Sequence, residues 1–191
     1  MAGRQAKTLS NDHVACLLAY ASVTRYPKRN IVIVLLSTKA GLRAGEIANL
    51  TWEMVVDANG EISDTIELHD SAAKKRSGRR IPIHPDLRRA LDDLCSVADR
   101  EGPVIRSERN RAMTPTSVVL WFTKAYRLLG FAGCSSHSGR RTFITRAARS
   151  VHKAGGSLRD VQLLAGHRSI QTTQRYIDGD SDAQRKLVAL I

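Results

Sequence analysis

Acidic residues are what this sequence is short of. Its 191 residues hold 18 Asp and Glu against 30 Lys and Arg, a formal charge of +12 with an isoelectric point near 10.3. An excess of that size calls for a polyanionic partner, either nucleic acid or an acidic membrane surface. A second lack decides between them. No apolar run approaches the length of a membrane span, and no charged-then-apolar leader precedes a small-residue cleavage site. Nucleic acid is the better partner, and no membrane association is expected. Cysteines are few and far apart: Cys16, Cys95 and Cys134, with no CxxC among them. That excludes a disulfide framework or a zinc site, so buried free thiols in a reducing cytosol are expected. There is also no internal repeat and no low-complexity segment.

What remains is an ordinary folded chain, 42% hydrophobic and 25% charged, long enough for one good-sized domain. Its charge is unevenly placed. Between positions 102 and 153 stand ten Lys and Arg against one acid, Glu108. A second cluster, Lys74, Lys75, Arg76, Arg79 and Arg80, puts five cations in seven residues. One such run is ordinarily a solvated face. Two runs flanking a phosphate clamp favour binding to a nucleic-acid backbone.

Hydrophobic period and end signals predict a mainly α chain with a small antiparallel sheet, an α+β fold. Residues 1–7 read as a frayed basic tail and 8–191 as the folded domain. Thr8 or Ser10 caps a first helix, and Pro27 opens a second, apolar one that ends at Gly41. A short helix carries Arg43 and Glu46 at i,i+3. Positions 65–69 and 79–84 alternate as strands around a basic hairpin, with a third strand expected near 54–56. Helices then follow from Pro85, from Pro115 behind a Thr114 cap, from His137, from the Ser157/Asp160 capping box to Gly166, and from Ser169. A terminal amphipathic helix is expected over 181–191.

The stretch 137–176 carries the chemistry. It opens HSGRR, passes LAGHRS and closes TTQRYI. His137 and Arg140, at i,i+3, put an imidazole beside a guanidinium fork, a natural phosphate clamp. His167 follows, and nine positions later Tyr176 stands in a short polar helix with its hydroxyl available. Taken singly, each has a plain reading: a surface ion pair, a chance HxxR, a capping histidine, a core-edge tyrosine. Their joint order and spacing carry the argument.

On these motifs the chain resembles the catalytic domain of the tyrosine recombinases, the phage-integrase family. GLRAGEI is similar to that family's first arginine box, HSGR to its second, and LAGHRS with TTQRYI to its third. The resemblance implies catalytic roles for Arg43, His137, Arg140, His167 and the nucleophile Tyr176, with Glu46 supporting Arg43. The family's hairpin lysine lies eight residues before a proline in the next strand, which lands on Lys74, with Lys75 the rival. Lys75, Arg76, Arg80, Arg141 and Arg146 are expected phosphate contacts.

The chemistry wants such groups independently. A phosphodiester attacked by a phenol gathers negative charge on its equatorial oxygens, which two arginines can bind in fixed geometry. A phenol, with a pKa of about 10, needs cations and an imidazole nearby to shed its proton. The resemblance implies strand cleavage and rejoining through a 3′-phosphotyrosine, serving DNA integration, excision or inversion, without cofactor or metal. It implies double-stranded DNA as partner, a free monomer assembling as a tetramer on DNA, accessory DNA-binding proteins, and a cytoplasmic, nucleoid-associated bacterial protein of a mobile element. The terminal helix would dock on a neighbour or in cis. Family members usually carry an N-terminal DNA-clamping domain. Since about seven residues precede the fold, that domain is expected to be absent and DNA binding by the chain alone weak and strongly salt-dependent. Type IB topoisomerase-like relaxation, or a non-cleaving DNA-binding remnant, are the alternatives.

Overall fold

The computed structural model describes residues 6–73, 77–94, 100–176, 185, 188, 189 and 191. Among the described residues stand eight α-helices, two 3-10 turns and one two-stranded antiparallel sheet. α1 (Asn11–Ser22) starts at Ser10, whose hydroxyl accepts from the His13 amide. α2 (Pro27–Lys39) is the central element. Val32, Ile33, Val34, Leu36 and Ser37 are all fully buried along it, because α1, α4 (Pro85–Leu94) and α6 (Ser138–Ser150) pack around it. Burying each such aliphatic side chain is worth about 1.5–3 kcal/mol, so this helix is the fixed reference for the site. α3 (Ala44–Ala48) packs on α5 (Pro115–Leu128), whose inner stripe is Val118, Phe122 and Ala125.

The sheet pairs β1 (Thr65–Leu68) with β2 (Arg79–Pro82), placing Glu67 opposite Arg80 and Leu68 opposite Arg79. The expected third strand near 54–56 does not form. Trp52–Met54 curls into a 3-10 turn instead, and Val56 makes only an isolated bridge to Ile62. The cause is a tight turn in which the Asp57 carboxylate accepts the amides of Asn59 and Glu61. The basic connection at 103–113 is more ordered than its composition suggests. Arg106 bridges Ala112, and Asn110 takes the left-handed conformation at the turn.

Beyond α6, a 3-10 turn (Val151–Ala154) leads to α7 (Leu158–Ala165) and α8 (Ile170–Gln174). Ile144, Ala148, Val151, Val161 and Ala165 form a second, smaller core between α6 and α7, and Tyr176 packs against it. α6 lies very close to α2. A β-carbon on Gly139 would stand 2.2 Å from Ser37 Oγ, so only glycine permits this approach.

Two further expectations need correction. The described end of the tail is tied down, since the Lys7 amide donates to the Gly133 carbonyl at 3.1 Å and Leu9 is bonded to Thr142 and Arg146 of α6. The thiols are not buried: Cys16 is exposed and Cys134 half-buried, and both are free. Cys95 and most of the expected terminal helix lie outside the described residues. Among the described residues, no helix is long and apolar enough to cross a membrane.

Candidate active site

Arg140 is the anchor. It occupies the third position of α6, where the close α6–α2 contact holds it at 4% exposure. A buried guanidinium must be hydrogen-bonded, and here backbone carbonyls do it. Nη1 donates to Gly41 O at 2.5 Å and Nη2 to Ala165 O at 2.6 Å. The first lies in the turn after α2, the second at the end of α7. Burial, and then the nearby Arg43 charge, lower the Arg140 pKa from its ordinary value. An arginine so shifted is still a cation at neutral pH.

His167 follows the left-handed Gly166 that closes α7, and its carbonyl is held by Gln162 Nε2 at 2.9 Å. Its Nε2 lies 3.3 Å from Arg140 Nη2, and its Nδ1 lies 3.0 Å from Thr173 Oγ1. Arginine can only donate, so Nε2 is the acceptor and the ring proton sits on Nδ1, directed at the threonine. Burial, followed by the charges of Arg140, Arg43 and Arg79, lowers the His167 pKa to about 4. The ring is therefore neutral at physiological pH.

Arg43 does not sit inside a helix beside Glu46 as its spacing suggests. It is the extended N-cap residue of α3, and Glu46 at the third position reaches back to it. Glu46 Oε2 accepts the Arg43 amide at 2.9 Å and Oε1 accepts Nη1 at 2.5 Å. Glu46 is buried at 1% exposure and has a second cation, Arg79, on both oxygens. Burial alone would raise its pKa. The bonds and charge of Arg79, with those of Arg43, outweigh burial and hold it at about 2. Arg79 was legible in the sequence only as one member of a basic cluster.

Tyr176 closes the arrangement. Its ring stacks on His167 with centroids 5.6 Å apart, and the Arg141 guanidinium lies 5.8 Å from its centre. An open pocket of about 410 Å³ is lined by His137, Arg140, Arg141, Thr172, Arg175 and Tyr176. An adjoining one of about 280 Å³ is lined by Arg43, His167 and Arg168, and Thr172 lines both. His137 is exposed at the N-terminus of α6. Five of the six expected catalytic positions thus converge. Lys74, its rival Lys75, and Arg76 lie outside the described residues. Arg80 points outward and pairs with Glu67 at 2.7 Å, while Arg146 donates to Leu9 O.

Chemically, the site offers two cations of fixed direction, a neutral imidazole and a phenol along two adjoining pockets. That set suits a tetrahedral oxyanion better than a metal. Among the described residues, no cluster of three His, Cys, Asp or Glu converges on a common point.

Comparison with known proteins shows which family shares this fold. The tyrosine recombinase XerC of Rickettsia prowazekii (strain Madrid E) is 27% identical over 176 residues, covering 89% of this chain and 55% of that protein. This chain therefore spans about half the length of that relative. The crystal structure of XerA recombinase superposes with a TM-score of 0.71 at 23% identity, over 100% of this chain and 65% of that one. XerH recombinase bound to palindromic difH substrate, in a post-cleavage complex, gives 0.72 at 17% identity, over 99% and 54%. At such identities the structural likeness speaks to the fold. The model of the phage integrase family matches residues 7–182. Because that match takes in both strands and every helix from α1 to α8, the chain belongs to the phage integrase family.

Proposed function

We propose that this chain cleaves and rejoins DNA through a covalent link between Tyr176 and a 3′-phosphate. The observation that carries the reading is the shared opening of Arg140 and Tyr176, with the buried guanidinium directed by two backbone carbonyls. The names of the relatives, recombinases all, support it.

In this mechanism the scissile phosphate enters between Arg140 and Arg43, which bind its non-bridging oxygens and stabilise the charge that builds there. The Tyr176 oxygen attacks phosphorus and its proton leaves through His137 or water. The bond from phosphorus to the 5′ oxygen breaks, and that oxygen takes a proton from the hairpin lysine, Lys74 or Lys75. Attack by a 5′-hydroxyl reverses each step and reseals the strand, so no nucleotide cofactor is consumed. Glu46 orients Arg43, and His167 orients Arg140. Lys75, Arg76, Arg80, Arg141 and Arg146 would bind the flanking backbone, whose many contacts make affinity salt-dependent. Assembly as a tetramer on DNA, and accessory proteins, belong to the same proposal.

The test is trapping on a pool of nicked duplexes with randomised cores, in which the short cleaved fragment diffuses away. Wild type is expected to form a denaturant-resistant protein–DNA adduct, and Tyr176→Phe none. An adduct that persists in the mutant would assign the nucleophile elsewhere. Tight binding without any adduct would make the chain a non-cleaving DNA-binding protein.

A further inference from the structure

Glu46 is more heavily coordinated than its support of one arginine requires. It accepts four N–H groups: the Arg43 amide, Arg43 Nη1, Arg79 Nη1 at 3.2 Å and Arg79 Nη2 at 3.0 Å. A carboxylate offers about four lone-pair sites, so it is saturated, and Arg79 supplies half. Arg79 is itself buried, its side chain 6% exposed, with Nε donating to Leu164 O at 2.8 Å. Its stem lies against Gly166, where an added β-carbon would stand 3.0 Å from Arg79 Cδ. One side chain from β2 thus touches the acid behind Arg43 and the turn that presents His167.

We infer that Arg79 is a positioning residue for DNA cleavage: by occupying both oxygens of Glu46 it keeps the Arg43 fork turned towards the phosphate. This rests on the cleavage reading above. Bidentate pairing is the preferred geometry of arginine with a carboxylate. With Arg79 in place, Glu46 takes Nη1 of the Arg43 side chain, whose fork also lines the pocket beside His167. Without Arg79, the vacated lone pairs draw more of that fork inward. The local charge of two arginines and one glutamate also falls from +1 to zero, which weakens stabilisation of the extra charge that builds on the phosphate as Tyr176 attacks. Arg79 need not touch DNA to matter.

The experiment compares wild type, Arg79→Gln, Arg79→Lys and Arg79→Gln/Glu46→Gln on a duplex selected by wild type in the trapping assay. Single-turnover cleavage at saturating DNA gives a rate and an amplitude separately, and DNA affinity is read by anisotropy across salt. For Arg79→Gln the rate is expected to fall roughly ten- to a hundredfold, with affinity and amplitude nearly unchanged. Arg79→Lys, which restores the charge but not the fork, falls between. The double variant cleaves faster than Arg79→Gln, because nothing remains to draw Arg43 inward. A loss of amplitude at unchanged rate would make Arg79 merely structural. A loss of affinity with a shallower salt slope would make it a DNA contact. A double variant no faster than the single would also overturn the inference. No adduct from wild type overturns the cleavage reading, and the inference with it; an adduct from wild type leaves the variants to judge Arg79 alone.

Discussion

The imidazole of His167 and the phenol of Tyr176 lie stacked, their planes inclined by 23°. The same imidazole accepts from Arg140 through Nε2, so one ring links the proposed nucleophile to the buried cation. Both of its nitrogens are engaged, Nδ1–H being directed at Thr173. A direct bond from Nε2 to a phosphate oxygen therefore requires a second ring proton.

Occupation of the site by DNA should drive that protonation. An anion beside the ring raises a histidine pKa that burial and three arginines have pulled down to about 4. Calorimetry of DNA binding near pH 6, in buffers of different ionisation enthalpy, should show proton uptake that His167→Gln loses. Equal uptake by both proteins would place the proton elsewhere.

Acid lability should follow from the same shift in the free protein. The folded pKa of His167 is below its ordinary 6.5, so the unfolded chain binds the extra proton between pH 6.5 and about 4. Stability then falls as pH drops through that window and is flat above it for this group. Glu46, held at about 2 against an ordinary 4.5, contributes stability present above pH 4.5 and lost as pH falls through 2. His84, whose pKa is also lowered by burial and then by Lys39, acts in the upper window too. Urea midpoints from pH 7.5 to 4 should decline in wild type and decline less in His167→Gln.

Arg140→Lys keeps the charge and loses the fork. The carbonyls of Gly41 and Ala165 lose their shared partner, at a cost of about 1–3 kcal/mol in chemical denaturation. Cleavage should fall roughly 10²–10³-fold, beyond what the stability loss explains at low temperature. Near-normal cleavage by this variant would mean that charge alone suffices.

Gly139→Ala tests whether the α6–α2 contact sets the site. The new methyl meets Ser37 Oγ at 2.2 Å and Thr38 Cγ2 at 3.2 Å, so α6 must retreat. A loss of about 1–3 kcal/mol is expected, with slower adduct formation, since His137 and Arg140 ride on the first turn of α6. Adding Ser37→Gly should recover part of both, and no recovery would locate the strain elsewhere.

Glu46→Gln should be costly alone, leaving the Arg79 charge buried and half-paired, at about 3–5 kcal/mol. The double variant with Arg79→Gln should lose less than the two single losses summed, as expected where a buried pair is replaced whole. Strict additivity of the melting data would mean that the two side chains are not coupled.

Much of this was legible from local chemistry. Ser10, Thr114 with Pro115, Ser157 with Asp160, and Gly166 mark helix ends because capping bonds and the left-handed turn are properties of a few adjacent residues. The family resemblance pointed to Tyr176, Arg140 and Arg43, and the structure sets them along two adjoining pockets. What escaped depended on contacts distant in sequence. Arg79 lies 33 residues from Glu46, and nothing adjacent to either announces the pair. Strand alternation did hold a clue: Arg79 shares the inward face of β2 with Ile81, and a cation facing inward needs a buried acid. The third strand failed for the opposite reason. Its β-like residues were read without the Asp57 side chain, which captures the backbone in a turn.

The partners of Arg140 lie 99 and 25 residues from it along the chain. A polypeptide emerging from the ribosome, or one caught half-unfolded, has not yet brought those segments together and so holds no working blade. For a protein whose proposed task is to cut and reseal DNA, folding itself is then the safety catch.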